Sequence, residues 1–157
     1  AILAALQFEE ATIYASDISK AALSVCTKNI EAYDLNNRVI PMQSDLFSDI
    51  DEKFDLIISN PPYVEQKLMD DLPIEFVKEP QIALAGGEKG IDLVQKIILE
   101  APSHLNTNGI LIMEVGRDRE AVETQFPQIP FTWIETQAGR DFVLLATRED
   151  LCLGLDV

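Results

Sequence analysis

Phe54-Asp55-Leu56-Ile57-Ile58-Ser59-Asn60-Pro61-Pro62-Tyr63 is an apolar run that stops on a double proline. Residues 54–59 read as a buried parallel strand, because a short apolar run bounded by turn formers has the length of a strand. Pro61 and Pro62 end it abruptly: each lacks an N–H and has a fixed φ. Each also biases the residue before it away from helical geometry. The product is a stiff turn with a carboxamide, Asn60, at one end and a phenol, Tyr63, at the other. In open α/β sheets ligands bind beyond the carboxyl ends of the strands, where this turn falls. A flat polar group fits between the Asn60 amide, the Pro61 carbonyl and the Tyr63 ring.

Strand and helix alternate on both sides of the turn. Residues 1–8 read as the tail of a helix and 12–17 as a short strand. Ser19 caps a helix running to about Tyr33, with Ala22, Val25, Cys26, Asn29 and Ile30 near helical spacing. Residues 38–42 form a second strand, which Pro41 places near a sheet edge. Beyond the turn, a helix over about 90–105 sets Leu93, Ile97, Ile98 and Ala101 on one face. Asn108-Gly109 closes the connection to a strand over 110–115, and a charged helix spans 117–126. Strands at 131–134 and 142–146, joined by a turn containing Gly139, make a terminal hairpin, with Trp133 in the core. This order predicts an α/β fold: a mostly parallel sheet with helices on both faces and a C-terminal antiparallel hairpin.

Residues 64–87 are long for a simple connection and carry Pro73, Pro80 and Gly86-Gly87. Loops above about 12–15 residues in compact domains are commonly lids or binding loops. Leu68, Leu72, Ile74, Phe76 and Val77 give this one surface to bury. A disordered insertion is the plainer alternative.

With 157 residues and 47% hydrophobic content, the chain can bury one sizeable core, and its length favours a single domain. A net charge of −15, with the 12 Lys and Arg scattered, argues against electrostatic binding to nucleic acid. Acidity serves solubility, or attracts a basic protein substrate. No apolar run is long enough to span a membrane, and no cleavable signal pattern is present. Cys26 and Cys152 stand far apart without metal-ligand spacing, which fits a reducing compartment and a cytoplasmic setting. Ala1-Ile2-Leu3-Ala4-Ala5-Leu6 opens without Met and already favours helix, so it reads as a chain cut inside its first helix.

Asp17 ends a strand just before a helix, where an acid can accept both hydroxyls of a ribose; a helix cap is the alternative role. Asp45, in Gln43-Ser44-Asp45-Leu46-Phe47, ends the next strand. It is placed to accept a bond from an exocyclic adenine amine, with Leu46 packing on the ring; otherwise it is a turn residue. Two acids and then Asn60 at the ends of successive strands are expected to ring one crevice. Glu114-Val115-Gly116 ends the fourth strand beside it, where Glu114 either orients a substrate or forms a loop salt bridge. His104 sits near a helix end, and neither a nucleophilic triad nor a metal cluster can be assembled.

Asp17, Ser44-Asp45-Leu46-Phe47, the run from Phe54 to Tyr63 and Glu114-Val115-Gly116 together resemble the class I, S-adenosylmethionine-dependent methyltransferases. More narrowly the chain resembles the protein glutamine N-methyltransferases. Asp71-Leu72-Pro73, Glu79-Pro80, Leu84-Ala85-Gly86-Gly87, Gly90-Ile91-Asp92-Leu93 and Thr147-Arg148-Glu149 are closer to the ribosomal-protein branch than to the release-factor branch. The resemblance implies a Rossmann-like sheet and S-adenosyl-L-methionine as cofactor, held by Asp17, Asp45, Leu46 and Asn60. It implies a protein substrate, large-subunit ribosomal protein number three, bound at Asn60, Pro61, Pro62 and Tyr63. Asn60, Pro61 and Tyr63 are the implied catalytic set: two oxygens accept the N–H groups of the substrate amide and the ring packs on it. The family's glycine-rich loop and helical substrate-recognition domain are expected upstream of Ala1, leaving 1–157 as one catalytic domain without them. Competing readings are an adenine or guanine amine methyltransferase, a release-factor methyltransferase and a non-catalytic binding module; a dehydrogenase fits worst.

Overall fold

The computed structural model describes residues 1–65, 67, 79–87, 90–137 and 139–155. Strand and helix alternate as expected, in two compact units, Ala1–Asp51 and Glu52–Val157. Pro73 and the apolar residues from Leu68 to Val77 lie outside the described residues.

The first unit runs α1 (Ile2–Gln7), β1 (Ile13–Asp17), α2 (Lys20–Ala32) and β2 (Val39–Gln43). Ser19 caps α2 as expected: its backbone is extended and its side chain accepts the Ala22 N–H at 3.3 Å. β1 and β2 pair in parallel from Ile13–Val39 to Asp17–Gln43, so the two strands end side by side. Ala5, Ile30, Leu35 and Val39 form the core, packed against by Ile2, Ile13, Ala15 and Cys26. The inward stripe of α2 is narrower than its spacing implied. Val25 is 57% exposed, and Ala22 and Asn29 also face solvent. The Arg38 guanidinium closes the far end of α1 by donating to the carbonyls of Ala5 and Phe8 at 2.9 and 3.1 Å.

The second unit holds β3 (Phe54–Ser59), a 3₁₀ turn (Gln81–Ala83), α3 (Asp92–His104) and β4 (Leu105–Glu114), then α4 (Arg119–Gln125), β5 (Thr132–Thr136), β6 (Gly139–Thr147) and α5 (Arg148–Leu155). Its sheet has the order β3-β4-β6-β5. β3 and β4 are parallel, while β6 runs antiparallel to both β4 and β5, so the terminal hairpin is present.

Four details depart from expectation. The buried face of α3 is Val94, Ile97, Ile98 and Ala101, with Val94 in place of Leu93, which restores an i, i+3, i+4, i+7 stripe. β4 begins at Leu105, and Asn108-Gly109 lies inside it as a bulge, five residues of β4 advancing against two of β3. Asn108 takes φ +64 there. Trp133 is half-buried, not core: its Nε1–H donates to Glu123 at 2.8 Å and the Arg119 guanidinium lies 4.8 Å from the ring centre. Finally, α5 had no expected counterpart. Thr147 and Asp150 form a reciprocal cap at its start, with Oγ1–H to Oδ2 at 2.6 Å and the Asp150 N–H to Oγ1 at 3.0 Å. Leu151 of α5 is fully buried, as are Leu105, Leu111 and Met113 of β4 and Leu144 of β6.

Candidate active site

The double proline ends β3 as the sequence requires, and the turn it builds is locked from two sides. Asn60 is exposed, Pro61 is buried, and Pro62 and Tyr63 are half-buried. Among the described residues, neither the Asn60 side chain nor the Pro61 carbonyl makes a hydrogen bond. Two oxygens of different flexibility therefore stand beside each other in the chain, one on a side chain and one on a proline-fixed backbone.

One side of the lock is the chain beyond the long loop. Val64 bridges to Ala85 in parallel, its N–H donating to the Leu84 carbonyl at 2.9 Å. The Gly86 N–H returns a bond to the Val64 carbonyl at 2.8 Å. Gly86 is packed so closely on the turn that a Cβ would lie 2.6 Å from the Tyr63 Cα and 2.8 Å from the Pro62 oxygen. Gly90, at φ +77, would bring a Cβ within 2.8 Å of the Tyr63 oxygen. The glycines that the sequence associated with shaping the loop thus press on the back of the turn.

The other side is β4. Ser59 is the partner of Met113, so the turn emerges beside Glu114. The Tyr63 hydroxyl donates to Glu114 Oε1 at 3.2 Å. Glu114 therefore neither stands alone nor forms a loop salt bridge among the described residues. Burial, then the negative charge of Glu114, pushes the Tyr63 phenol above its ordinary range. Asp118, just after the Gly116 turn, is also held above the ordinary carboxylate value, first by burial and then by the charge of Glu65.

The two aspartates belong to the first unit. Asp17 is exposed at the end of β1, and its Oδ1 accepts the Ser19 N–H at 2.7 Å. It thus leads into α2 without being the cap, which is Ser19. Asp45 is exposed and Leu46 half-buried, in a turn beyond β2 where Leu46 takes φ +53. Sequence reasoning gave Ser44 no role, yet it organises this turn. It is 3% exposed, its hydroxyl donates to the Leu46 carbonyl at 2.9 Å and accepts the Asp49 N–H at 3.1 Å. Its own N–H reaches the Asp17 carbonyl at 3.2 Å, tying the ends of β1 and β2 together. A serine just before an acidic turn is the readable signal for such a staple.

His104 is at the opposite end of β4 from Glu114, with Nδ1 3.4 Å from the Glu52 carbonyl. No three metal-ligating side chains gather among the described residues. No helix among them is long and apolar enough to cross a membrane.

Residues 1–89 match the profile of the methyltransferase small domain. The chain is 43% identical over 151 residues to the ribosomal protein uL3 glutamine methyltransferase of Neisseria gonorrhoeae, covering 96% of this chain and 50% of that protein. It is 46% identical over 145 residues to the protein of the same name from Francisella tularensis, covering 92% of this chain and 46% of the other. The chain thus spans about half the length of the curated relatives it matches. Among solved structures, a methyltransferase from Pyrococcus furiosus shares the fold at a TM-score of 0.66 and 18% identity, over 94% of this chain and 68% of that one. The hMettl16 catalytic domain, solved with the MAT2A 3′UTR hairpin 6, shares it at 0.65 and 16%, over 93% and 58%.

Proposed function

Because the chain belongs to the methyltransferase small domain family, we propose that it is the catalytic part of a protein glutamine N-methyltransferase that uses S-adenosyl-L-methionine. The acceptor is the side-chain amide of a glutamine in a large-subunit ribosomal protein, uL3 by the relatives' names. The observation that carries the reading is the corner at Asn60-Pro61-Pro62-Tyr63. An exposed carboxamide and a proline-fixed carbonyl, neither engaged by the described residues, adjoin an aromatic ring anchored by Glu114.

The first unit suits the cofactor chemically. Asp17 offers an exposed carboxylate for ribose hydroxyls, Asp45 one for the adenine amine, and Leu46 an apolar surface for the adenine face. When bound, the cofactor supplies an electrophilic methyl group on a sulfonium sulfur. The chain's own contribution is to the acceptor. An amide nitrogen is a poor nucleophile because its lone pair is delocalised into the carbonyl. Asn60 and Pro61 accept its two N–H groups, raising electron density on nitrogen and fixing its direction of approach. Positive charge that develops on nitrogen is stabilised by the same oxygens. The Tyr63 ring packs on the flat amide, and the proton lost from nitrogen passes to solvent without a strong base.

The profile match runs from the first unit into the second, which supports treating residues 1–157 as one catalytic domain. The release factors are the alternative protein acceptor, and a net charge of −15 disfavours direct nucleic-acid binding. A cytoplasmic setting follows from a ribosomal substrate. The test is methyl transfer by the full-length protein to ribosomal proteins, release factors and nucleic acid, side by side. Label in a glutamine amide of the large-subunit protein is the expected result; label confined to nucleic acid overturns the reading.

A further inference from the structure

Amide methylation as described uses the Tyr63 ring but not what holds it. The ring is fixed at two points. Its hydroxyl donates to Glu114 Oε1 at 3.2 Å. Its Cδ2 edge rests on the backbone of Gly116, where a Cβ would lie 2.7 Å from Cδ2, 2.8 Å from Cε2 and 3.1 Å from Cγ. Gly116 also has φ +60, a conformation that side-chain-bearing residues adopt at a cost. Both points lie at the carboxyl end of β4, and both act on one side chain of the turn after β3.

Resting on the amide-methylation reading, we propose that Glu114 is a positioning residue. It sets the plane of the Tyr63 ring through the phenol hydrogen bond, with Gly116 as the seat for the ring edge. Packing alone does not require this arrangement. A phenylalanine would fill the same volume, and a half-buried carboxylate beside it costs desolvation. A tyrosine paired with an acid is retained at little benefit unless the angle of the ring matters, and a flat amide lying on the ring makes it matter.

The test uses the full-length protein with Tyr63→Phe, Glu114→Ala, Glu114→Gln and the double variant Tyr63→Phe/Glu114→Ala. Each of Tyr63→Phe and Glu114→Ala is expected to lower kcat for amide methylation about tenfold, the scale of one hydrogen bond to a charged group. The double variant should fall no further than the worse single one, since both remove the same contact. Glu114→Gln should recover most of the loss, because its side-chain oxygen still accepts from the phenol. KM for the cofactor should stay put throughout. A second readout is independent of turnover: tyrosinate absorbance followed against pH, with Tyr63→Phe identifying the Tyr63 transition among the three tyrosines. That transition should move down toward the ordinary value in Glu114→Ala, where Asp118 remains as the other acid acting on the ring. Losses that multiply in the double variant, or an unmoved transition, would overturn the proposal. A wild-type protein that methylates no amide would instead sink the functional reading. A lowered transition alongside it would still establish the contact, so the two failures are told apart.

Discussion

Gly86→Ala adds one methyl group behind the turn, and its effect can be worked from the contacts. The new Cβ would stand 2.2 Å from the Gly90 oxygen, 2.6 Å from the Tyr63 Cα and 2.8 Å from the Pro62 oxygen. All three are main-chain atoms, so no change of rotamer relieves them. Gly86 is not among the residues with positive φ, so the perturbation is steric and not conformational. Opening the shortest contact to 3.0 Å moves the two segments apart by about 0.8 Å. Overpacking costs typically about 1–3 kcal/mol. The separation also strains the bonds Val64 N–H to Leu84 and Gly86 N–H to Val64, each of which contributes about 0.5–1.5 kcal/mol. The expected loss of stability is about 2–4 kcal/mol. A displacement approaching 1 Å at a positioning element can cost about 10²-fold in rate, so kcat should fall on that order while the protein remains folded. Urea unfolding followed through the single tryptophan, Trp133, measures the first quantity. Turnover at saturating acceptor and cofactor measures the second. Stability within about 0.5 kcal/mol of wild type, together with unchanged turnover, would refute the claim that this glycine buttresses the turn.

Asn60→Ala should reduce methyl transfer by about 10²–10³-fold yet leave the unfolding midpoint unchanged, because the side chain is exposed and engages none of the described residues; methyl incorporation and a thermal melt report the two. Asp17→Ala should weaken cofactor affinity by calorimetry more than it slows turnover at saturation, whereas an unchanged titration would leave Asp17 only its bond to Ser19. Asp118→Asn should stabilise the protein at neutral pH. The folded-state pKa of Asp118 is raised above 3.8 by burial and Glu65, so the ionised form is the unfavourable one. Native protein holds this proton more tightly than the unfolded chain, so stability falls as pH rises from about 3.8 through the folded pKa. The gain from Asn should therefore be present above that window and vanish below it. With a half-exposed, solvent-screened pair it stays below about 1 kcal/mol, and Asp118 makes no side-chain cap whose loss would mask it. Urea titrations at both ends of the window check the sign.

Some of this was legible in the residues and some was not. Proline chemistry alone ends a strand at Ser59, and strand–helix alternation alone implies a parallel pair beside it; both needed only local rules. The start of β4 was hidden because Asn108-Gly109 carries turn chemistry, while the register there depends on β3, far away in sequence. α5 was missed for another reason. Leu151-Cys152-Leu153-Gly154-Leu155 has no clear helical stripe, and Gly154 weakens it. The cap signal, Thr147 followed three residues later by Asp150, was nonetheless there to be read. Trp133 looked like core because large aromatics usually are, but an indole N–H needs a partner, and Glu123 lies at the surface. The pairing of Tyr63 with Glu114 joins residues 51 apart and has no sequence signature; only the parallel register of β3 and β4 brings it about.

That separation has a kinetic consequence. β5 and β6 are joined by a tight turn and meet at little entropic cost, whereas β3 must find β4 across the long loop and a whole helix. During refolding the amides of the terminal hairpin should gain protection from pulsed hydrogen exchange before those of β3. The corner at Asn60 would then be the keystone of the second unit, set last. Recovery of turnover would lag behind recovery of secondary structure, and a chain already compact to spectroscopy would remain inert until β3 docks.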